Sequence, residues 1–127
     1  MDPDKLKEIE DRVAREPVPY AQVVQMLKAI GVKAYDVDVT KGTILYRGNH
    51  KVYGLQASSQ KLSIAPAFSP EKIEDAYSRI ERREIDYPTF LKALAEAGVE
   101  RYTSDFKRMA IIFKGGGKEH RKPIPEA

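Results

Sequence analysis

Residues 20–35 read YAQVVQMLKAIGVKAY, and residues 87–102 read YPTFLKALAEAGVERY. Both stretches begin with a tyrosine, continue in an apolar helical pattern and pass through Gly-Val to a second tyrosine. A glycine at the end of a helical pattern is typical of a left-handed C-terminal cap, and the alternation of a strand follows it. The same helix-to-strand junction is therefore predicted twice in one chain.

The similarity extends without a gap over residues 1–51 and 68–118, at a shift of 67 positions. The two segments share 13 identical residues in 51 positions, and many other pairs are conservative. Ungapped self-similarity of this kind indicates a tandem duplication, so equivalent positions should occupy equivalent environments. The identical pairs include Pro3 with Pro70, Tyr20 with Tyr87, Leu27 with Leu94, Gly31 with Gly98, Tyr35 with Tyr102 and Asp38 with Asp105.

Each copy should contain two helices. An Asp-Pro pair at 2–3 and a Ser-Pro pair at 69–70 place a capping side chain before a proline of the first turn. These helices should run to about residues 15 and 82. The second helices should begin near Pro19 and Tyr87 and end at the repeated glycines.

Each copy should then continue as a β-hairpin. Tyr35, Val37 and Val39 alternate along the chain and predict one buried strand face. Turn residues then separate this strand from a second apolar run in both copies. The predicted turns are at 40–42 and 105–108, the strands that follow them at 43–47 and 109–114, and two further short strands at 51–55 and 61–65.

The repeats predict an α+β fold: a duplicated helix-helix-strand-strand unit that forms one antiparallel sheet, or two small ones, with four helices about a pseudo-twofold axis. One copy of about 50 residues would be marginal alone, so both copies should share a core. The tail either frays or adds an edge strand. The predicted divisions are a single domain at 1–127, with repeat one at 1–51, connecting strands at 52–67, repeat two at 68–118 and the tail at 119–127.

The composition excludes several kinds of site. The chain has no cysteine, which rules out disulfides, thiolate nucleophiles and sulfur-ligated zinc. A formal net charge of +3 permits anionic partners without predicting them. The N-terminus lacks the apolar run of a secretory signal and no segment approaches the length of a membrane span, so we expect a cytoplasmic protein with no membrane partner.

Four repeated residues are the candidate ligand-binding residues, because equivalent side chains can meet across a twofold axis. Tyr35 and Tyr102 are the better candidates to line a cleft between the halves, although packing alone would also explain them. Asp38 and Asp105 could face each other as a carboxylate pair or a hard-cation site or, as the position before a hairpin turn favours, cap the backbone of each turn.

The other polar candidates favour structural interpretations. His50 in a Gly-Asn-His turn and His120 in a basic tail should both be exposed and without a role. The Gly-Gly-Gly-Lys run at 115–118 is not followed by the helix of a phosphate-binding loop, so it should be a hairpin turn. Basic residues are interleaved with acidic ones, which favours a mixed-charge surface over a nucleic-acid site. No cofactor and no metal site are predicted.

Several motifs of the chain resemble the YbcV-like family, bacterial proteins of unknown function that often carry the label "phage envelope protein". The resemblance covers most of the chain and implies a fold and a bacterial or prophage origin, but no activity. The motifs that carry it are DYPTF at 86–90, AGVERY at 97–102, Asp105, Met109, LSIA at 62–65 and GVKAY at 31–35.

Three hypotheses of function follow, in order of preference. The first is a non-enzymatic module that binds a small ligand or a protein in a groove between the halves. The second is an enzyme, such as a hydrolase, in which Tyr35, Tyr102, Asp38 and Asp105 converge at the axis. The third is weak nucleic-acid binding, which the mixed charge disfavours. The ligand, the partner and the oligomeric state are open at this stage.

Overall fold

The computed structural model describes residues 1–126 and has the predicted α+β architecture. Two helices and three strands form each half of the chain. The helices are α1 (Pro3–Arg15), α2 (Tyr20–Ala29), α3 (Pro70–Glu81) and α4 (Tyr87–Glu96). The strands are β1 (Val32–Asp38), β2 (Thr43–Gly48), β3 (Val52–Gln56), β4 (Arg101–Asp105), β5 (Ala110–Gly115) and β6 (Lys118–Pro123).

The six strands form one antiparallel sheet in the order β3-β2-β1-β4-β5-β6. The two halves join where β1 pairs with β4, and Asp36 lies opposite Thr103 in that ladder. These residues are 67 positions apart and so are equivalent in the repeat. An antiparallel ladder in which equivalent residues face each other has a twofold axis through that pair. The pseudo-twofold axis therefore passes through the centre of the sheet.

Each half of the chain adds a third strand to its predicted two-stranded hairpin. β3 pairs with β2 at one edge of the sheet, and β6 pairs with β5 at the other. A shift of 67 places β3 on residues 119–123, so β6 is its counterpart. Of the two alternatives predicted for the tail, fraying or an edge strand, the structure shows the edge strand, which ends at Pro123. Residue 127 lies outside the described residues.

The strand predicted at 61–65 is wrong. This segment leaves β3 and crosses to the helical layer, where the Ala65 N–H donates to the Ala95 carbonyl at 2.9 Å. The Leu62 N–H donates to the Thr40 carbonyl in the β1–β2 turn at 3.4 Å. The backbone partners are a helix end and a turn, so the alternation of Leu62 and Ile64 reflects packing against the core and not a sheet ladder.

The helix ends agree with the sequence patterns. Asp2, Ser69 and Asp86 each accept a hydrogen bond from a backbone N–H of the first helical turn, which satisfies donors that have no partner within the helix. Gly31 and Gly98 follow the second helices with φ of 93° and 82°, a region that residues with a Cβ rarely adopt. The chain therefore turns from helix to strand in the same way in both copies.

The core lies between the helices and one face of the sheet. The other sheet face is open, and there Leu45 and Val52 are 42% and 61% exposed. Within the part of the chain that the structure describes, none of the helices combines the length and the apolar character that crossing a membrane requires.

Candidate functional site

A cleft of about 860 Å³ opens between the two helical pairs, over the centre of the sheet. One wall comes from α1, α2 and the loop between them, and the other from α3, α4 and their loop. The strands supply the floor. Because each wall belongs to one repeat, the cleft lies where the pseudo-twofold axis leaves the sheet.

Tyrosine is the characteristic residue of this cleft. The chain has 7 tyrosines, and all but Tyr53 line the cleft. Two equivalent pairs are preserved by the duplication, and the other two tyrosines each occur in one copy only. The six are Tyr20, Tyr35, Tyr46, Tyr77, Tyr87 and Tyr102.

The two preserved pairs make the same hydrogen bond in each repeat. The hydroxyls of Tyr20 and Tyr35 lie 2.5 Å apart, and those of Tyr87 and Tyr102 lie 2.6 Å apart. In both pairs the first tyrosine starts the second helix and the other lies on the first strand. Each hydrogen bond therefore ties a helix N-terminus to the sheet at the cleft floor.

A buried serine breaks the symmetry of the two pairs. The Ser104 Oγ lies 2.5 Å from the Tyr20 hydroxyl, and Ser104 is 0% exposed. The equivalent residue in the first repeat is Val37, which has no hydroxyl to offer Tyr87. Tyr20 is thus the centre of a three-hydroxyl chain, whereas Tyr87 has a single hydroxyl partner.

Burial keeps these phenols neutral. It raises the pKa of Tyr20 to about 12, with partial opposition from the hydrogen bonds to Ser104 and Tyr35. Burial also raises the pKa values of Tyr35, Tyr87 and Tyr102 above 10. At neutral pH each hydroxyl therefore carries its hydrogen and can donate it.

Glu10 adds a carboxyl group to the first wall. It accepts a hydrogen bond from the Tyr46 hydroxyl, and both side chains line the cleft. Burial raises the pKa of Glu10, and the bond from Tyr46 opposes this shift in part. The second repeat has Tyr77 and Phe113 at the equivalent positions, so this acid–phenol pair belongs to one half only.

Tyr77 occupies the opposite wall, where its ring is 5% exposed. The Lys122 ammonium lies 4.7 Å from the ring centroid, a cation–π distance. Within residues 1–126 the Tyr77 hydroxyl makes no side-chain hydrogen bond, and it is not among the fully buried atoms without a partner. The hydroxyl therefore keeps some exposed surface, and Tyr77 is one of the residues that line the cleft.

Asp38 and Asp105 do not join the tyrosines. Side chains alternate along a strand, so Asp38 points to the sheet face opposite Tyr35, and Asp105 to the face opposite Tyr102. Asp38 pairs with Arg101 in the β1–β4 ladder and Asp105 with Ala34, which separates the two aspartates by about 13 Å along the strands. The alternative in which the four candidate residues converge at the axis is wrong.

Each aspartate caps its hairpin turn. The Asp38 carboxylate accepts from the Lys41 N–H at 3.0 Å. The Asp105 carboxylate accepts from the N–H groups of Lys107 and Arg108 at 3.0 and 3.1 Å. The predicted turn interpretation is confirmed for both residues.

The two histidines differ from each other. His50 is exposed in the β2–β3 turn with φ of 58°, as its Gly-Asn-His context predicts. His120, predicted to be exposed and without a role, lies instead on β6 facing α3, with its Nε2 2.7 Å from the Glu74 carboxylate. The repeat register carried the signal for this, because His120 is equivalent to Tyr53 on β3.

The remaining basic and glycine-rich segments follow the sequence. Gly116 and Gly117 form the β5–β6 turn with φ of 55° and 75°. Several basic side chains have acidic partners: Arg79 with Asp75, Arg82 with Glu84, Arg121 with Glu119 and Lys122 with Glu74. Within residues 1–126 no cluster of three or more histidine and carboxylate side chains is placed to hold a metal.

Sequence reasoning missed Tyr46, Tyr77 and Glu10 as cleft residues, and it missed Ser104 as the buried partner of Tyr20. Glu10 and Tyr77 occupy equivalent positions of the two repeats. A signal was therefore available, because both copies have a side chain with a polar group at a helix position that faces the core. Ser104 had no such signal, because serine is mostly an exposed residue in proteins.

One comparison with known proteins places the chain in a wider group. The family model DUF1398, which describes proteins of unknown function, matches residues 7–115. None of the curated proteins matches the sequence significantly.

Proposed function

Because the chain belongs to the DUF1398 family, whose function is not known, we propose a function from the geometry of its own cleft. The protein is a non-enzymatic binding module that holds a small, largely apolar molecule between its two repeats. The observation that carries this proposal is the cleft of about 860 Å³ lined by six of the seven tyrosines. Tyr35 and Tyr102, the candidate residues from the sequence, contribute to its floor.

The size and the lining of the cleft support a small-molecule ligand. Pockets for such ligands span roughly 300–1,000 Å³ and are mostly apolar with a few polar groups. Here the floor is aromatic, and the mouth adds half-exposed aliphatic side chains from both walls: Val13, Val18, Ile80 and Ile85. An apolar molecule that enters would cover side chains that are now in contact with water.

The state of the phenols favours binding over catalysis. A general base works best with a pKa near the working pH, whereas burial moves the tyrosine pKa values further above neutral pH. The enzymatic hypothesis also required Asp38 and Asp105 beside Tyr35 and Tyr102, and those carboxylates cap turns on the opposite sheet face. The phenols are better suited to hold a ligand than to transfer its protons.

The finer attributes from the sequence remain part of this proposal. They are a YbcV-like identity, a bacterial or prophage origin, a cytoplasmic location and one domain over residues 1–127. The mixed ion pairs on the surface do not favour nucleic acid as the partner.

Binding of 1-anilinonaphthalene-8-sulfonate, a fluorescent probe with an apolar ring system and one sulfonate, tests the proposal. Val13→Glu puts a negative charge on the cleft rim, where Val13 is 38% exposed, so the variant should fold normally and weaken probe binding several-fold by disfavouring both the apolar rings and the sulfonate. Val52→Glu is the matched control, since Val52 is 61% exposed on the opposite sheet face. No saturable binding by the wild type, or equal loss in both variants, would contradict a ligand site in the cleft.

A further inference from the structure

We infer that the ligand of the cleft presents oxygen acceptors, carbonyl or carboxyl groups on an apolar body, to hydroxyl hydrogens of the cleft floor. This inference rests on the proposed function and specifies the chemistry of the molecule that is bound. It follows from counting hydroxyl hydrogens against acceptors.

The first group of hydroxyls has one hydrogen more than its internal bonds use. Tyr20, Tyr35 and Ser104 carry three hydroxyl hydrogens, and two hydrogen bonds connect them. Within residues 1–126, none of these hydroxyls makes a further hydrogen bond. Whichever way the three hydroxyls are oriented, one O–H hydrogen is left without a protein acceptor.

The second repeat gives the same result. Tyr87 and Tyr102 have two hydrogens and one shared bond, so one hydrogen is again left over. The Tyr77 hydroxyl contributes a third, because it has no protein acceptor in the described part of the chain. In contrast, the hydrogen of Tyr46 is already donated to Glu10.

The leftover hydrogens lie at the cleft when Tyr35 and Ser104 donate to Tyr20 and when Tyr102 donates to Tyr87. This orientation is favoured because Tyr20 and Tyr87 are the partly exposed members of their groups and line the cleft, whereas a buried hydrogen without an acceptor is costly. Tyr77 lines the cleft as well. Water can accept the hydrogens in the empty cleft, but an apolar ligand displaces that water. A ligand without acceptors would leave the hydroxyls unsatisfied, and one with acceptors placed above them would not.

The same counting argues against a ligand that presents donors to the floor. An ammonium group has three donors and no acceptor, so it would meet hydroxyl hydrogens with hydrogens of its own. A hydroxyl can turn to offer a lone pair, but each group would still have its surplus hydrogen to place. A ketone, an ester or a carboxylic acid matches the floor better than an amine or a hydrocarbon.

A matched pair of probes tests this inference by equilibrium dialysis. 2-Acetylnaphthalene and 2-isopropylnaphthalene have nearly the same shape, and only the first has an acceptor. The hydrocarbon is the more hydrophobic of the two, so burial alone would favour it. We expect the ketone to bind at least threefold more tightly, the reverse of the hydrophobic order.

Three single substitutions localise the effect to the hydroxyls. A single carbonyl oxygen accepts at most two hydrogen bonds, so one or two of Tyr20→Phe, Tyr77→Phe and Tyr87→Phe should weaken binding of the ketone. Each effective substitution should do so about two- to tenfold, the range expected for one hydrogen bond, and leave binding of the hydrocarbon unaffected. Tyr53→Phe is the control, because Tyr53 packs outside the cleft.

The outcomes separate the two proposals. If the hydrocarbon binds as tightly as the ketone, or if 2-naphthylmethylamine binds best, the acceptor inference fails and the apolar cleft remains as a site. If none of the three probes binds, the proposed function fails and the inference fails with it.

Discussion

Loss of a single hydroxyl should have a larger effect in the first repeat than at the equivalent position of the second. Tyr20→Phe removes the bonds to both Tyr35 and Ser104, whereas Tyr87→Phe removes the bond to Tyr102 alone. The two substitutions are chemically identical and occupy equivalent positions at the start of the second helices. The difference between them therefore measures the added serine contact.

The size of the difference can be worked from the contacts. One hydrogen bond contributes about 0.5–1.5 kcal/mol net, and a buried group left without a partner costs about 1–3 kcal/mol. Tyr87→Phe breaks one bond and leaves the buried Tyr102 hydroxyl without a partner, so it should cost about 1–3 kcal/mol. Tyr20→Phe breaks two bonds and leaves both Tyr35 and Ser104 without a partner, so it should cost at least about 1 kcal/mol more.

Urea denaturation followed by far-ultraviolet circular dichroism measures these free energies of unfolding. The absence of tryptophan makes backbone ellipticity a better signal than fluorescence. Tyr53→Phe should leave the free energy of unfolding within about 0.5 kcal/mol of the wild type, the range of ordinary surface substitutions. A double-mutant cycle with Ser104→Ala should assign the excess cost of Tyr20→Phe to the Tyr20–Ser104 bond.

Equal costs for the two tyrosine substitutions would refute this reasoning. So would a negligible coupling energy in the cycle, because the serine contact is the only difference in hydroxyl bonding between the two positions among residues 1–126. A neutral Tyr20→Phe would further imply that water replaces both bonds without loss, and the hydrogen count in the cleft would lose its basis.

Three further outcomes are expected in denaturation experiments. Gly31→Ala should lower the free energy of unfolding by about 1–2 kcal/mol, the cost of a left-handed conformation for a residue with a Cβ. Gly98→Ala should cost distinctly more, because its Cβ would also overlap a backbone carbonyl of the loop before α3, and equal costs would contradict this steric reasoning. Burial raises the folded-state pKa of Glu10 above 4.5, so its stabilising contribution is complete below that pH and is lost as the pH rises through the raised value. The stability of the wild type relative to Glu10→Gln should therefore decline as the pH rises above about 4.5, and parallel profiles would rule this out. Hydrogen bonds from Lys122 and His120 lower the pKa of Glu74, so its contribution to stability is present above pH 4.5 and is lost as the pH falls below it. Because the Glu74 side chain is 43% exposed, Glu74→Gln should cost under about 1 kcal/mol at pH 7, and a cost that persists at pH 3 would contradict this explanation.

The local structure was accessible from the sequence because it depends on near neighbours along the chain. An Asp or Ser before a proline favours the start of a helix, and a glycine after a helical pattern favours its end. Asp2, Ser69, Gly31 and Gly98 all behave in this way. The duplication then allowed each local conclusion to be checked in the other copy.

The segment at 61–65 shows where local patterns fail. Its alternation fits a strand, but strand formation requires a neighbouring strand with free backbone groups. The segment meets the end of α4 instead, where Ala65 bonds to the Ala95 carbonyl. That outcome depends on where the chain has room to cross between the halves, which local pattern does not encode.

By itself the sequence determined that one ancestral unit occurs twice and that Tyr35 and Tyr102 are equivalent, since identity at a constant shift needs no coordinates. Only the tertiary structure decided that β1 pairs with β4, so that Asp36 meets Thr103 on the axis and the tyrosines gather beneath one cleft. In that structure Asp38 and Asp105 lie on the sheet face opposite the tyrosines, at opposite ends of the β1–β4 ladder. The reason is that strand register and face are set by contacts between distant segments, and a duplicated pattern is compatible with more than one way of joining its halves.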